Sequence, residues 1–212
     1  MRQSPLLDHD WDVDYNTFQA LNDFAYGHDW FEDVLRFFAE DAQYLFVALL
    51  AGLFLARGKW ESRNARHGVI AAGLAAALGL ALAHGITMVW DRPRPFEAHS
   101  GVHLFVAPSG DPSFPSDHAT AAFAIAVSLL LRSRRVGLLA LGMAAVLGLA
   151  RVAVGAHYPL DVLGGALLGT MAALVLWLEP VRSWLNRLAD WAGSLYERGA
   201  TRVLRQPSGA PN

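Results

Sequence analysis

The sequence predicts an all-α fold: a polytopic membrane helical bundle of about five transmembrane helices, with amphipathic helices at its N- and C-terminal ends. Three observations lead there. Hydrophobic residues fill 54% of the 212 positions but fall in blocks, so a mean hydropathy of +0.28 averages very apolar stretches with polar ones. The block Gly68–Val89 has no formal charge over about 22 residues, whereas a soluble helix of that length keeps a polar face. Basic residues gather in alternate connecting segments, the bias that membrane topology imposes. The same composition excludes a disordered chain, and the lack of cysteine excludes a disulfide framework or a thiolate metal site. A net charge of -2 argues against a nucleic-acid partner.

Residues 1–41 form an acidic amphipathic segment, with ten acidic and two basic residues up to Asp41. Phe18, Leu21, Phe24 and Ala25, then Phe31, Val34, Leu35, Phe37 and Phe38, recur at helical spacing among those acids. That pattern suits one or two helices at the outer surface or packed on the bundle. Met1–Asp14 lacks the apolar core of a cleaved signal, so the first true span is expected to direct insertion. A transmembrane catalytic domain is expected over 42–178. Its first span, Tyr44–Ala56, is short unless it starts near Phe37 and Phe38. Gly68–Val89, Ala119–Leu131 (reaching back through His118), Val136–Ala150 and Leu160–Leu178 follow, the last with only Asp161 charged. Roughly 20 mostly apolar residues cross a hydrocarbon core, so the second and last qualify by themselves. Residues 179–212 read as a cytoplasmic amphipathic helix marked by Trp184, Leu185, Leu188, Trp191 and Leu195, with a frayed end from Gln206.

Orientation follows from the loops. Arg57, Lys59, Arg63 and Arg66 face a single Glu61 after the first span, and Arg132, Arg134 and Arg135 follow the third. Arg182, Arg187, Arg198, Arg202 and Arg205 mark the tail. The positive-inside rule makes these segments cytoplasmic and puts the 90–117 loop, the 155–159 turn and the N-terminus outside.

The unusual polar residues converge on that outer side. Asp91-Arg92-Pro93-Arg94-Pro95-Phe96 follows the second span, Ser113-Phe114-Pro115-Ser116-Asp117-His118 opens the third, and Arg151, His157 and Asp161 straddle the last junction. Arginines supply permanently charged planar forks for phosphate oxygens. Pro115-Ser116 at a helix start directs a hydroxyl and backbone N–H groups toward an anion. His157 and Asp161 are four apart, so on one turn the carboxylate can bond one imidazole nitrogen and leave the other as nucleophile or base. His118 can protonate a leaving oxygen. Together these parts describe phosphoryl transfer through a phosphohistidine, with no metal or other cofactor required.

Arg94-Pro95, Pro115-Ser116-Asp117-His118, and Arg151 with His157 and Asp161 resemble the three signatures of the type 2 phosphatidic acid phosphatase superfamily. The resemblance implies that His157 is the nucleophile, that Asp161 orients it, and that His118 is the general acid and later activates water. It implies that Arg94, Ser116 and Arg151 hold the phosphate, helped by the backbone N–H of Asp117. Two positions depart from the pattern: the usual lysine of the first signature falls on Thr87, and the usual serine before the third-signature arginine is Ala150. Arg92 is the candidate to replace the lysine's charge, as a further phosphate-binding residue. Loss of that lysine with the Arg-Pro-Arg-Pro-Phe run is similar to bacterial undecaprenyl-diphosphatases of the bacitracin-resistance type. Asn22-Asp23-Phe24-Ala25 and Phe37-Phe38-Ala39-Glu40-Asp41 resemble that subgroup as well. The implied protein sits in the bacterial inner membrane with its site on the extracytoplasmic face. Its implied partners are a polyprenyl diphosphate substrate and membrane lipids, and its reaction yields undecaprenyl phosphate, recycling the cell-wall carrier lipid.

Other polar residues have plainer readings. His99 and His103 are four apart, but Gly101 lies between them and the chemistry needs no ion, so no metal site is expected. His84 reads as a core histidine, and Glu97 as a solvent or head-group contact. Gly73, Gly79 and Gly85, and Gly164, Gly165 and Gly169, read as close-packing positions between helices. Two rival functions remain: a phosphatidic acid or phosphatidylglycerophosphate phosphatase, and a non-hydrolytic lipid-phosphate binding or transport protein.

Overall fold

In a computed structural model the backbone is described for residues 5–55 and 61–204, and every regular element among them is helical. Arg57, Lys59 and the expected frayed end from Gln206 lie outside the described residues. The elements are α1 (Pro5–Tyr26), α2 (Asp29–Arg36), a π turn (Phe37–Asp41), α3 (Ala42–Leu55), α4 (Glu61–Thr87), α5 (Pro95–Ala98), α6 (Asp117–Leu130), α7 (Arg134–Ala153), α8 (Pro159–Trp177) and α9 (Val181–Leu204).

Among the described residues, four stretches are long and apolar enough to cross a membrane: Phe31–Leu55, Arg66–Thr87, Arg134–Ala153 and Pro159–Trp177. The first follows the longer of the two expected readings, starting ahead of Phe37 and Phe38 and not at Tyr44. α2 runs through the π turn at Phe37–Asp41 into α3 without a break, so the apolar run extends from Phe31 to Leu55. The third expected span, α6, is an apolar helix of only 14 residues. Ser116 starts it, and the turn at Leu131 and Arg132 ends it.

α6 is the centre of the bundle, with α4, α7 and α8 packed around it. Ala119, Thr120, Ala122, Ala124, Ala126 and Ser128 are all buried, and these small side chains let the neighbouring backbones approach. The closest approach is to α8, where a Cβ on Gly169 would fall 2.2 Å from the Thr120 carbonyl oxygen and one on Gly165 would fall 2.5 Å from that of Ser116. Gly79 on α4 meets the Thr120 methyl in the same way, and Gly164 meets the Phe114 ring. Gly73 and Gly85 face open space, so the packing role expected for them is not present.

The N-terminal helices are packed onto the bundle rather than laid beside it. Phe18 of α1 is buried with Val152 and Tyr158, and Ala25, Leu35 and Ala39 form a cluster with Ala150, Ala153, Val154 and Ala156. Asn22 fixes the register: its amide donates to the carbonyls of His103 and Ala153 at 2.7 and 2.8 Å and accepts the His103 N–H at 2.9 Å. His99 and His103 stack on Tyr15 and Tyr26, with ring centroids 3.9 and 3.6 Å apart, which pins the long loop to α1. At the opposite end, α9 buries Leu185 and Ala189 and leaves Trp184 and Trp191 more than half exposed. His67 of α4 and Asp190 of α9 meet at 2.8 Å.

Candidate active site

A cavity of about 510 Å³ opens where the first turn of α6, the ends of α4 and α7, and the 94–115 loop converge. Arg94, Asp117, His118, Arg151 and His157 line it, so three separate stretches of the sequence meet at one cavity.

His157 sits in the tight link between α7 and α8. Gly155 in that link has φ +86, and a Cβ there would fall 2.6 Å from the His103 carbonyl oxygen, so the turn requires glycine. The imidazole is buried, and its Nδ1 lies 2.9 Å from the carbonyl oxygen of Ser113. A carbonyl only accepts, so Nδ1 carries the proton and Nε2 keeps its lone pair. Arg94 Nη1 stands 3.4 Å from that Nε2. Burial pushes the His157 imidazole down to about 4, with Asp161 opposing and Arg151 and Arg94 reinforcing the shift. The ring is therefore neutral at physiological pH, as a nucleophile must be.

Asp161 is the third helical residue of α8 and caps it, accepting the Tyr158 N–H at 2.8 Å, with Pro159 at the first helical position. Its carboxylate stands 3.7 Å from His157 Nδ1, too far for the direct bond expected from the four-residue spacing. The same oxygen instead accepts the Ser113 hydroxyl at 2.5 Å. Ser113 thus bridges the two, its hydroxyl on Asp161 and its carbonyl on His157.

Arg94 precedes α5. Its Nε donates to the Asp111 carbonyl at 2.8 Å and its Nη1 to that of Ala156 at 3.1 Å. Burial lowers its pKa, and Asp111, Asp161, Glu97 and Asp117 partly restore it. Glu97 accepts the Arg94 backbone N–H at 3.0 Å, which makes it a cap for α5. Arg151, in the last turn of α7, gives Nη1 to the Ala39 carbonyl at 3.3 Å. Its buried Nε has no hydrogen-bond partner among the described residues. A buried guanidinium with spare donors beside His157 is suited to an anion that completes it.

Two expected phosphate contacts sit elsewhere. Ser116 is fully buried, and its hydroxyl oxygen accepts the Ala119 N–H at 3.5 Å, so it caps α6 and is not among the residues lining the cavity. Arg92 also lies outside the lining, because its guanidinium is held between Asp14 at 2.7 Å and Asp161 at 2.5 Å. The charge that the family lysine would bring is therefore not replaced from position 92.

Several lining residues were not foreseen. His84 is exposed to the cavity instead of sitting in the core, one turn from Thr87 on α4. Their three-residue spacing was a signal that both share a face. Glu40 and Gln43 enter from the π turn and the start of α3. Nothing in hydrophobic periodicity marks a π turn, so their direction was not legible.

The PAP2 superfamily model matches residues 68–184 of the chain. Undecaprenyl-diphosphatase BcrC of Bacillus subtilis is 29% identical, covering 92% of this chain and 98% of that protein. A Bacillus licheniformis protein named bacitracin transport permease protein BcrC is 30% identical over 91% of this chain and 92% of its own length. Among solved structures, the crystal structure of Aquifex aeolicus LpxE is similar with a TM-score of 0.66 and 27% identity, covering 77% of this chain and 93% of that one.

Proposed function

This chain belongs to the PAP2 superfamily as a multi-pass membrane phosphatase, and from that premise we propose that it hydrolyses undecaprenyl diphosphate to undecaprenyl phosphate. The observation that carries the chemistry is the His157 imidazole, with Nδ1–H anchored on Ser113 and the Nε2 lone pair facing Arg94 at the cavity wall. The near full-length similarity to undecaprenyl-diphosphatase BcrC supports the substrate.

In the proposed reaction Arg94 and Arg151 neutralise the terminal phosphate, and His157 Nε2 attacks phosphorus. The bond from phosphorus to the bridging oxygen breaks, and His118, which takes up a proton from solvent once the bound diphosphate offsets the charges of Arg94 and Arg151, gives it to that oxygen as undecaprenyl phosphate departs. His118, now a base, takes a proton from water, whose oxygen attacks the phosphohistidine. The P–N bond breaks, its electrons return to Nε2, and phosphate leaves. Asp117 places its backbone N–H at the start of α6, where the helix dipole favours an anion. No step uses a metal.

The loop charges support an extracytoplasmic site in the bacterial inner membrane, with α9 cytoplasmic. A polyprenyl tail then stays in the bilayer while its head group reaches the cavity, as recycling of a cell-wall carrier lipid requires. The deciding experiment gives purified protein undecaprenyl diphosphate, farnesyl diphosphate and phosphatidic acid separately, with and without chelator, beside His157→Ala. The proposal expects preference for the polyprenyl diphosphate, no chelator effect and no turnover by the variant. Preference for phosphatidic acid would overturn the substrate, and equal turnover by His157→Ala would overturn the nucleophile. Binding without any hydrolysis would point to the transport class instead.

A further inference from the structure

Asp14 and Arg92 are buried charged groups for which the phosphate chemistry has no direct use. One guanidinium spans two carboxylates: Nη1 donates to Asp161 Oδ1 at 2.5 Å and Nη2 to Asp14 Oδ2 at 2.7 Å. The other Asp14 oxygen accepts the Leu160 N–H at 2.9 Å, in the turn of α8 that carries Asp161. The Tyr158 ring covers the guanidinium face, 4.1 Å from its central carbon to the ring centroid.

Burying this many charges is costly unless each is paired and hydrogen-bonded, so removing any one member leaves the others to find new partners. A further donor beside a released Asp161 carboxylate is the His157 Nδ1–H at 3.7 Å. Taking it would pull the imidazole off the Ser113 carbonyl and out of register. As built, Asp161 spends Oδ1 on Arg92 and Oδ2 on Ser113 and the Tyr158 N–H, which leaves the Ser113 carbonyl to hold His157.

We propose that Asp14 and Arg92 are positioning residues for the nucleophile: α1 clamps the Asp161 carboxylate through Arg92, and Asp161 sets His157 through Ser113. This inference deepens the phosphohistidine reading and rests on it for the role of His157. It gives the N-terminal helix a share in the reaction although Asp14 does not line the cavity. It also accounts for the arginine at position 92, which neutralises Asp161 and leaves Arg94 and Arg151 to the substrate.

The test compares wild type with Asp14→Asn, Arg92→Ala and Arg92→Lys as full-length proteins in detergent, assayed on undecaprenyl diphosphate. A misplacement near 1 Å costs about 100-fold in rate, so Arg92→Ala is expected to lose about that factor in kcat with KM within about twofold. Asp14→Asn is expected to lose less, and in the same parameter. Guanidinium ion should restore Arg92→Ala, because Arg92 borders a separate groove of about 410 Å³ that also touches Tyr15, Trp90 and Tyr158. It should not restore His157→Ala.

A second readout needs no substrate. Nitrogen-15 spectra of the wild type should show His157 as the Nδ1–H tautomer, assigned by its loss in His157→Ala, and the Nδ1–H signal should shift in Asp14→Asn and Arg92→Ala as its acceptor changes from the Ser113 carbonyl toward the freed Asp161 carboxylate. Unchanged kcat with an unshifted Nδ1–H signal would overturn the proposal. So would a raised KM at full kcat, which would return Arg92 to phosphate binding, or failure of guanidinium to restore Arg92→Ala. If the wild type hydrolyses no lipid offered, the functional reading fails, and the nitrogen-15 experiment still decides the clamp.

Discussion

The nearest partner of the His157 imidazole is the main chain of Ser113, whose carbonyl oxygen lies 2.9 Å from Nδ1, while the Asp161 carboxylate stands 3.7 Å away. A main-chain carbonyl cannot change its protonation or rotate to a different donor. The tautomer of His157 is thus fixed by a rigid acceptor, and Asp161 works one bond further out.

Asp161→Asn should therefore impair turnover without abolishing it. The amide NH2 would face either the Arg92 guanidinium on one side or the Ser113 hydroxyl and Tyr158 N–H on the other, all donors, and would displace the partner it meets. Because the Ser113 carbonyl still holds Nδ1–H, the expected loss in kcat is on the order of 100-fold, against complete loss for His157→Ala. Steady-state assays of the two variants side by side check the difference.

The pH dependence has a definite sign. His157 falls from 6.5 to about 4 on folding, so Nε2 stays unprotonated down to about pH 4. The share of His157 able to attack should hold from neutrality through pH 6 and fall as pH drops through about 4, which a nitrogen-15 titration of the imidazole follows. Because the unfolded chain binds the proton first, this residue's stability contribution is whole above about pH 6.5 and is lost progressively between 6.5 and 4. Thermal unfolding across that window measures the second effect.

Arg94→Lys and Arg151→Lys should raise KM for the diphosphate. Arg94 already commits Nε and Nη1 to the Asp111 and Ala156 carbonyls, and a lysine ammonium cannot make those bonds and meet a phosphate too. Charge-assisted bonds contribute about 1.5–3 kcal/mol each, so roughly a tenfold to hundredfold rise is expected. An unchanged KM in both variants would remove these residues from substrate binding.

Gly165→Ala and Gly169→Ala should destabilise the protein, while Gly73→Ala should not. The first two would drive a methyl into the α6 main chain, where overpacking costs about 1–3 kcal/mol, and would displace the His118 turn. At Gly73 nothing among the described residues lies within 4 Å, so the gain in helix propensity of about 1 kcal/mol should stand. Melting temperatures of the three variants give the comparison.

Much of this was legible before any coordinates. The uncharged run at Gly68–Val89 announced a membrane helix, and the positions of Arg94, His118, Arg151 and His157 were readable as one cluster because all four lie at helix ends on one side. What escaped was set by tertiary contact. The sequence shows that Arg92 is charged and near Arg94, but only the fold shows that α1 delivers Asp14 to it. Spacing placed Asp161 near His157 but carried no hint that Ser113 comes between them. His84 was misread because an apolar helix was taken to bury its polar residues, whereas this one borders a water-accessible cavity.

The tie between Asp14 and Leu160 joins positions 146 apart, the first helix to the last of the four long apolar stretches. During synthesis the Asp14 carboxylate emerges long before Arg92 or Leu160, and its full set of partners exists only once the start of α8 has been made. The site is consequently assembled late in biogenesis: a chain halted before His157 holds neither that imidazole nor the Asp161 carboxylate on which Arg92 and Ser113 converge.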